Sequence, residues 1–171
     1  MFQSELKIPL ERVAVLIGKK GTTKKKIEKI TNTKIKVDKE GDVIVSGEDN
    51  LNIFITNSII RAIGRGFNPQ VALILWNENY SLEIINIRNI IGDSEKKLQR
   101  IKSRLIGSEG KVRKLLEELT NTSISIYGKT ISIIGKIENT HTAKHAVEKL
   151  IHGSNHGNVY KYIEKQKQRS Q

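Results

Sequence analysis

One stretch of this chain is written twice. From Leu16 it reads LIGKKGTTKKKIEKITNTKIKV, and from Leu105 LIGSEGKVRKLLEELTNTSISI. Aligned without gaps, Gly18 meets Gly107, Gly21 meets Gly110, Glu28 meets Glu117, and Thr31-Asn32-Thr33 meets Thr120-Asn121-Thr122. About ten of some two dozen positions are identical. A long repeat that occurs only twice indicates a duplicated domain, not a solenoid. The 171 residues therefore divide into two small units, each marginal alone because small domains bury a smaller share of their surface.

The flanking patterns also correspond. In the first copy SELKIPL alternates as a strand, and Leu10 to Ile17 is a short helical pattern ending at Gly18. A second helix restarts at Thr22 with Ile27 and Ile30 on one side. KIKVD and DVIVSG then alternate as strands around a turn at Glu40-Gly41, and Asp49 or Asn50 caps a longer helix that ends at Gly64. In the second copy YSLEIINI is the strand, Ser94 caps a helix to Ile106, and another helix starts at Lys111. SISIY and TISIIG pair around Gly128-Lys129, and a last repeat helix spans roughly 139–151. Each half reads β-α-α-β-β-α, an α+β unit whose three-stranded sheet is covered by three helices. The expected divisions are 1–66, a linker 67–79, 80–153, and a C-terminal helix with a basic tail at 154–171. In the linker Asn68-Pro69 starts a short apolar helix, with Trp76 expected in a core between the halves.

Charge sharpens the reading. The chain carries 30 Lys and Arg against 18 acids. Residues 16–36 hold eight Lys and one acid, Glu28; residues 96–114 hold eight Lys or Arg and one acid, Glu109. The segment between them is net negative, so positive charge gathers at the two glycine turns. A single such run is commonly a solvated helix face. Two runs at matching places in a repeat point to a polyanion, of which nucleic acid is the commonest. A Gly-x-x-Gly turn between helices sets backbone N–H groups at the start of the second helix, without intrahelical partners and at the positive end of its dipole. Glycine also lets a sugar–phosphate backbone approach closely. Apolar residues before the turn (Val13, Leu16, Ile17; Ile101, Leu105, Ile106) then wall a shallow groove in which bases offer their edges to the next strand.

Several classes are excluded or disfavoured. With no cysteine there are no disulfides, thiolate metal sites or cysteine nucleophiles. The longest apolar run, VALILW, is far short of a membrane span, so the chain reads as soluble, intracellular and cytoplasmic, with no membrane partner. His141 and His145 lack a third ligand, so no metal or other cofactor is expected. Nothing resembles a phosphate-binding Walker loop, and the carboxylates suggest no acid–base pair; the expectation is a non-enzyme. Aromatic side chains are absent from the loops, which argues against stacking platforms. A helix-turn-helix reading duplex DNA is the alternative, but it explains neither the second glycine nor the strand pair. A protein-interaction scaffold in translation initiation is a third reading. Gly64 is read as a helix terminator and Arg65 as solvated.

LIGKKGTTKKKIEKIT and LIGSEGKVRKLLEELT resemble the hnRNP K homology (KH) signature, in which the loop clamps about four nucleotides of a single strand. The element order resembles the type I form, so the resemblance implies two type I KH domains. GFNPQVALIL, YGKTISIIG and HGNVYKYIEK further resemble the archaeal relatives of the two-KH small-subunit assembly factor that eukaryotes call the partner of the Nob endonuclease. That resemblance implies ribosome biogenesis: binding of single-stranded RNA in the 3′ region of small-subunit ribosomal RNA. The implied protein partners are the Nob endonuclease and the alpha subunit of initiation factor two. The RNA-binding set carried onto this sequence is Ile17, Gly18, Lys19, Lys20, Gly21, Lys24, Lys25, Lys34 and Lys36 in the first copy. In the second it is Arg104, Ile106, Gly107, Ser108, Glu109, Gly110, Lys111, Arg113 and Lys114. Glu109 departs from the pattern because it would face a phosphate. Charge favours the first loop and the resemblance the second, so the two rank equal.

Overall fold

The computed structural model describes all residues, 1–171, and they form two compact units, Met1–Tyr80 and Ser81–Gln171. The first contains β1 (Phe2–Lys7), α1 (Leu10–Ile17), α2 (Thr22–Thr31), β2 (Lys34–Val37), β3 (Asp42–Gly47), α3 (Asn50–Gly64) and α4 (Pro69–Ala72). The second contains β4 (Tyr80–Asn86), α5 (Arg88–Ile91), α6 (Glu95–Ile106), α7 (Lys111–Thr120), β5 (Ser123–Tyr127), β6 (Thr130–Lys136), α8 (Ile137–Ile151) and α9 (His156–Arg169). Two three-stranded sheets result, ordered β1-β3-β2 and β4-β6-β5, with the third strand of each unit in the middle. This is the α+β order expected from the repeat.

Strand period decides what the first sheet buries. Ile35, Val43 and Val45 are buried and pair across the sheet, Ile35 opposite Val45, while Lys34 and Lys36 are exposed. Leu16, Ile27, Ile59, Ile60 and Ile63 supply the helical side of that core. In the second unit Leu98, Leu105, Leu116, Ile131, Ile133 and Leu150 do the same. Val159 and Ile163 of α9 join this core fully buried, so the C-terminal helix completes the second unit.

The Thr-Asn-Thr triplets are structural. Asn32 and Asn121 follow their helices with φ of 53° and 52°, the left-handed conformation that lets the chain leave a helix and that asparagine tolerates. Thr33 N–H reaches back to Glu28 O and Thr122 N–H to Glu117 O. The threonine hydroxyls, buried, bond to each other at 2.7 Å in both copies, and Thr31 and Thr120 also donate to Ile27 O and Leu116 O.

Helices α3 and α8 end the same way. Gly66 and Gly153 have φ of 100° and 101°, and the amide after each bonds back five residues, Phe67 to Ala62 and Ser154 to Lys149. Gly66, not Gly64, is thus the left-handed terminator. Gly64 is needed for packing, since a Cβ there would lie 2.9 Å from Ile8 Cγ2. Arg65, expected to be solvated, has a partner within the protein.

An arginine braces each of these ends. Arg12 donates from Nε to Ile63 O at 2.7 Å and from Nη2 to Phe67 O at 2.8 Å. Arg104 donates to Leu150 O and Ser154 O, the equivalent carbonyls in the second unit. The two arginines are not aligned by the repeat: Arg12 stands opposite Ile101, one helical turn before Arg104. The turn spacing lets either position reach the same helix-end carbonyls, of which Ile63 O and Leu150 O also accept the amides of Gly66 and Gly153.

The last repeat helix begins at Ile137, two residues before 139. The linker segment lies against α3, where Asn68 caps α4 by accepting the Val71 amide at 2.9 Å. Phe67, Ala72 and Leu75 are its buried residues, and Trp76 is 40% exposed. No helix is long and apolar enough to cross a membrane.

Candidate nucleic-acid interface

The two glycine loops have the same backbone. Gly18 and Gly107 have φ, ψ of 74°, 175° and 73°, 174°. Lys20 and Glu109, neither a glycine, both sit in the left-handed region at φ 55°, and Gly21 and Gly110 follow at φ 76° and 74°. A non-glycine residue held there costs about 1–2 kcal/mol, and both copies hold one at the same position of the loop.

The glycines of each loop have different reasons. A Cβ on Gly18 would lie 2.2 Å from Thr23 Oγ1 and 2.8 Å from Thr23 N; on Gly107 it would lie 2.5 Å from Val112 Cγ2 and 2.9 Å from Val112 N. The first glycine therefore lets the second helix close on the first. At Gly21 and Gly110 the nearest atoms are the Cε of Lys25 at 3.9 Å and of Lys114 at 3.8 Å. The second glycine thus opens outward, beside a lysine that is the same in both copies. Neither lysine has an acidic partner.

The amide count differs from the sequence expectation. A 3-10 turn precedes each second helix and uses two donors: Gly21 N–H to Gly18 O and Thr22 N–H to Lys19 O, with Gly110 to Gly107 O and Lys111 to Ser108 O in the other copy. The tight turn satisfies what an abrupt helix start would leave bare. The exposed rim is Lys19-Lys20 in one loop and Ser108-Glu109 in the other.

Around the loops the expected residues divide. Ile17 and Ile106 are half-buried just before them; Lys19, Lys20, Lys25, Lys111 and Lys114 are exposed beside them. Lys34 and Lys36 are not brought to the loop, because alternation along β2 sends them to the sheet face opposite Ile35. Arg104 is committed to the α8 carbonyls described above. Arg113 is ion-paired with Glu117, and Lys24 with Glu28.

That last pair does more. Glu28 accepts the Ile35 amide at 2.8 Å, and Lys24 Nζ donates to Ile35 O at 3.1 Å and to Glu28 at 3.2 Å. β2 is an edge strand, and Ile35 carries the N–H and C=O that point off that edge. Both are therefore capped by the protein's own side chains, which is how edge strands are commonly protected. In the second unit Glu117 pairs with Arg113, and no side chain caps the equivalent Ile124. Sequence alignment alone makes the two grooves alike; only the tertiary contacts of Glu28 and Glu117 separate them. His156 begins α9 and meets Arg104 O at 3.1 Å, and His141 and His145 stack edge to face on the exposed side of α8.

Known proteins share this architecture. Residues 81–168 match a family described as the eukaryotic type KH-domain (KH-domain type I), in its PNO1 second-domain form, and residues 3–63 match the KH domain family. A KH domain-containing protein of Methanocaldococcus jannaschii is 45% identical over 168 residues, which is 96% of this chain and 74% of that protein. The pre-rRNA-processing protein PNO1 of Gibberella zeae is 30% identical over 123 residues, covering 71% of this chain and 44% of its own length. The chain thus spans less than half of that fungal relative. Among solved structures, Dim2p from Pyrococcus horikoshii has a TM-score of 0.90 at 46% identity, covering 96% of this chain and 99% of that one. A complex of a/eIF2alpha, aDim2p and rRNA from the same organism matches at 0.90 and 47%, covering 98% and 95%.

Proposed function

Because this chain belongs to the KH-domain family, as a tandem type I protein related to PNO1 and archaeal Dim2, we propose that it binds single-stranded ribosomal RNA during small-subunit maturation. The observation that carries this reading is the outward-opening second glycine of each loop, with Lys25 or Lys114 beside it. A phosphate entering there meets no Cβ and one unpaired ammonium. It can also accept a hydrogen bond from Ser108 in the second loop. The protein supplies a cradle and no catalytic group.

The two domains take different parts. In the first, Lys19, Lys20 and Lys25 hold phosphates, but Glu28 and Lys24 occupy the strand edge that would read a base. In the second, the edge at Ile124 is open and the loop has fewer cations, so base choice is made there. The 3′ region of small-subunit rRNA is the proposed target, supported by the rRNA in the Pyrococcus complex. The alpha subunit of initiation factor two, present in that complex, and the Nob endonuclease are the proposed protein partners, and the cytoplasm is the proposed setting.

The test is an RNA titration with two variants. Lys19→Asp with Lys20→Asp weakens binding about equally for all sequences. Gly110→Asp, which puts a carboxylate into the second cradle, lowers affinity and flattens sequence preference. For every phosphate that a variant no longer neutralises, the log–log salt slope should become shallower by about 0.7. Unchanged affinity in both variants, with unaltered circular dichroism, refutes the assignment. Equal affinity of the wild type for duplex DNA would favour a helix-turn-helix mode instead.

A further inference from the structure

The second domain contains an insertion that the first lacks. Ile8 and Ile87 are equivalent, each donating its amide to a carbonyl of the following hairpin turn, Gly41 O and Lys129 O. From Ile8 to Gly18 the chain advances ten residues, whereas from Ile87 to Gly107 it advances twenty. The extra residues build α5 and the first turns of α6, which Ser94 caps by accepting the Lys97 amide. Helix α6 has twelve residues where α1 has eight.

This extension carries charge in a fixed direction. At 3.6 residues per turn, Lys96, Arg100, Ser103 and Gly107 fall within about 60° of one another around the helix. Lys96, Arg100 and Ser103 are exposed, so they form a stripe that runs about 16 Å along α6 into the glycine loop. Lys97 is exposed on its flank. None of these cations has an acidic partner. Of the acids in the insertion, Glu95 is engaged by Arg88 and by the Gln99 amide. The Gln99 hydrogen bond and then Arg88 hold its carboxyl below the usual range, so it stays an acceptor for these two. Asp93 lies in the preceding loop, off the helix. At the places matching Arg100 and Ser103 the first domain exposes Glu11 and Ala14, and no basic stripe reaches its loop.

We propose that Lys96, Arg100 and Ser103 form a second phosphate track, which carries RNA beyond the short segment clamped at Gly107–Gly110. The ligand is the sugar–phosphate backbone of a strand already seated in the loop, so this rests on the RNA-binding reading above. Lys96 and Arg100 each neutralise one phosphate, and Ser103 donates a hydrogen bond between them and the loop. The track reads no bases; it lengthens the footprint and raises affinity for longer strands.

The experiment compares a five-nucleotide RNA from the 3′ end of small-subunit rRNA with two twelve-nucleotide RNAs that extend it in the 5′ or the 3′ direction. Binding is followed by fluorescence anisotropy at several salt concentrations. The wild type should bind one of the longer RNAs at least about tenfold more tightly than the pentamer near 0.1 M salt, with a slope steeper by about 1.4 for two added phosphates. Lys96→Glu with Arg100→Glu should remove that gain and leave pentamer affinity within about twofold, because the loop is intact. Lys161→Glu with Lys165→Glu on exposed positions of α9 makes the same change in net charge and should keep the gain. Lys96→Ala with Arg100→Ala serves if the reversed pair does not fold. A gain that persists in the stripe variant, or is lost equally in the α9 variant, overturns the proposal. So does a wild type that binds the pentamer but no longer RNA more tightly, and that result leaves the loop reading standing. A wild type that binds no RNA at all defeats both.

Discussion

Replacing Glu28 by alanine should separate the two otherwise parallel domains. The carboxylate accepts the Ile35 amide at 2.8 Å and holds Lys24, which in turn bonds Ile35 O. Its side chain is 18% exposed and that of Lys24 27%, so solvent screens the group only partly. Removing it strands a strand-edge amide and an ammonium, a loss of about 1.5–3 kcal/mol for a charge-assisted hydrogen bond. Glu117→Ala breaks only the (i, i+4) pair with Arg113, worth about 0.3–0.5 kcal/mol. Because the two units need not melt together, residue-resolved hydrogen exchange is the decisive assay. In the wild type the Ile35 amide should exchange slowly and the uncapped Ile124 amide fast. Glu28→Ala should accelerate Ile35 by about tenfold or more, since 1.4 kcal/mol is a factor of ten. Equal exchange at both amides in the wild type, or an unaffected Ile35 in the variant, would refute the closed-edge account of the first groove.

Gly18→Ala and Gly107→Ala should each destabilise their domain by more than about 2 kcal/mol, because left-handed strain adds to a Cβ overlap with the next helix. Gly21→Ala, with open space around it, should cost only about 1–2 kcal/mol, and urea denaturation distinguishes the two cases. Arg12→Leu and Arg104→Leu should each lower stability by about 1.5–3 kcal/mol through loss of the carbonyl braces. RNA affinity of the folded fraction should not change, whereas a direct RNA role for Arg104 would lower it. Thr31→Val should cost about 1–2 kcal/mol by leaving the Thr33 hydroxyl one partner short, measurable as a lower denaturation midpoint.

The architecture is legible in the chain because it rests on local and repeated signals. Strand alternation around Ile35, the capping residues Asp49, Asn68 and Ser94, and the duplicated glycines each act within a few residues, so their pattern survives in one dimension. The two loops are likewise visible as a pair with a common spacing. Their details are not. That the first glycine makes room for Thr23 or Val112, and that a 3-10 turn uses two of the expected free amides, depends on how closely two helices approach.

Other roles are decided only by contacts far apart in sequence. Nothing local marks Arg12, and the family resemblance assigns Arg104 to RNA, yet they brace the ends of α3 and α8 across about fifty residues. Glu28 and Glu117 are identical in the repeat, but only Glu28 reaches its edge strand, so two matching motifs make unlike grooves. The run of cations in 96–114 is visible as composition. Its division into a braced Arg104, a paired Arg113 and an unpaired stripe at Lys96 and Arg100 is not. Sequence by itself determined which elements form and that charge gathers at two turns, because periodicity and spacing are local properties. Tertiary structure decided which charges remain available to a ligand, because a side chain's partner is set by whatever backbone the fold brings within reach.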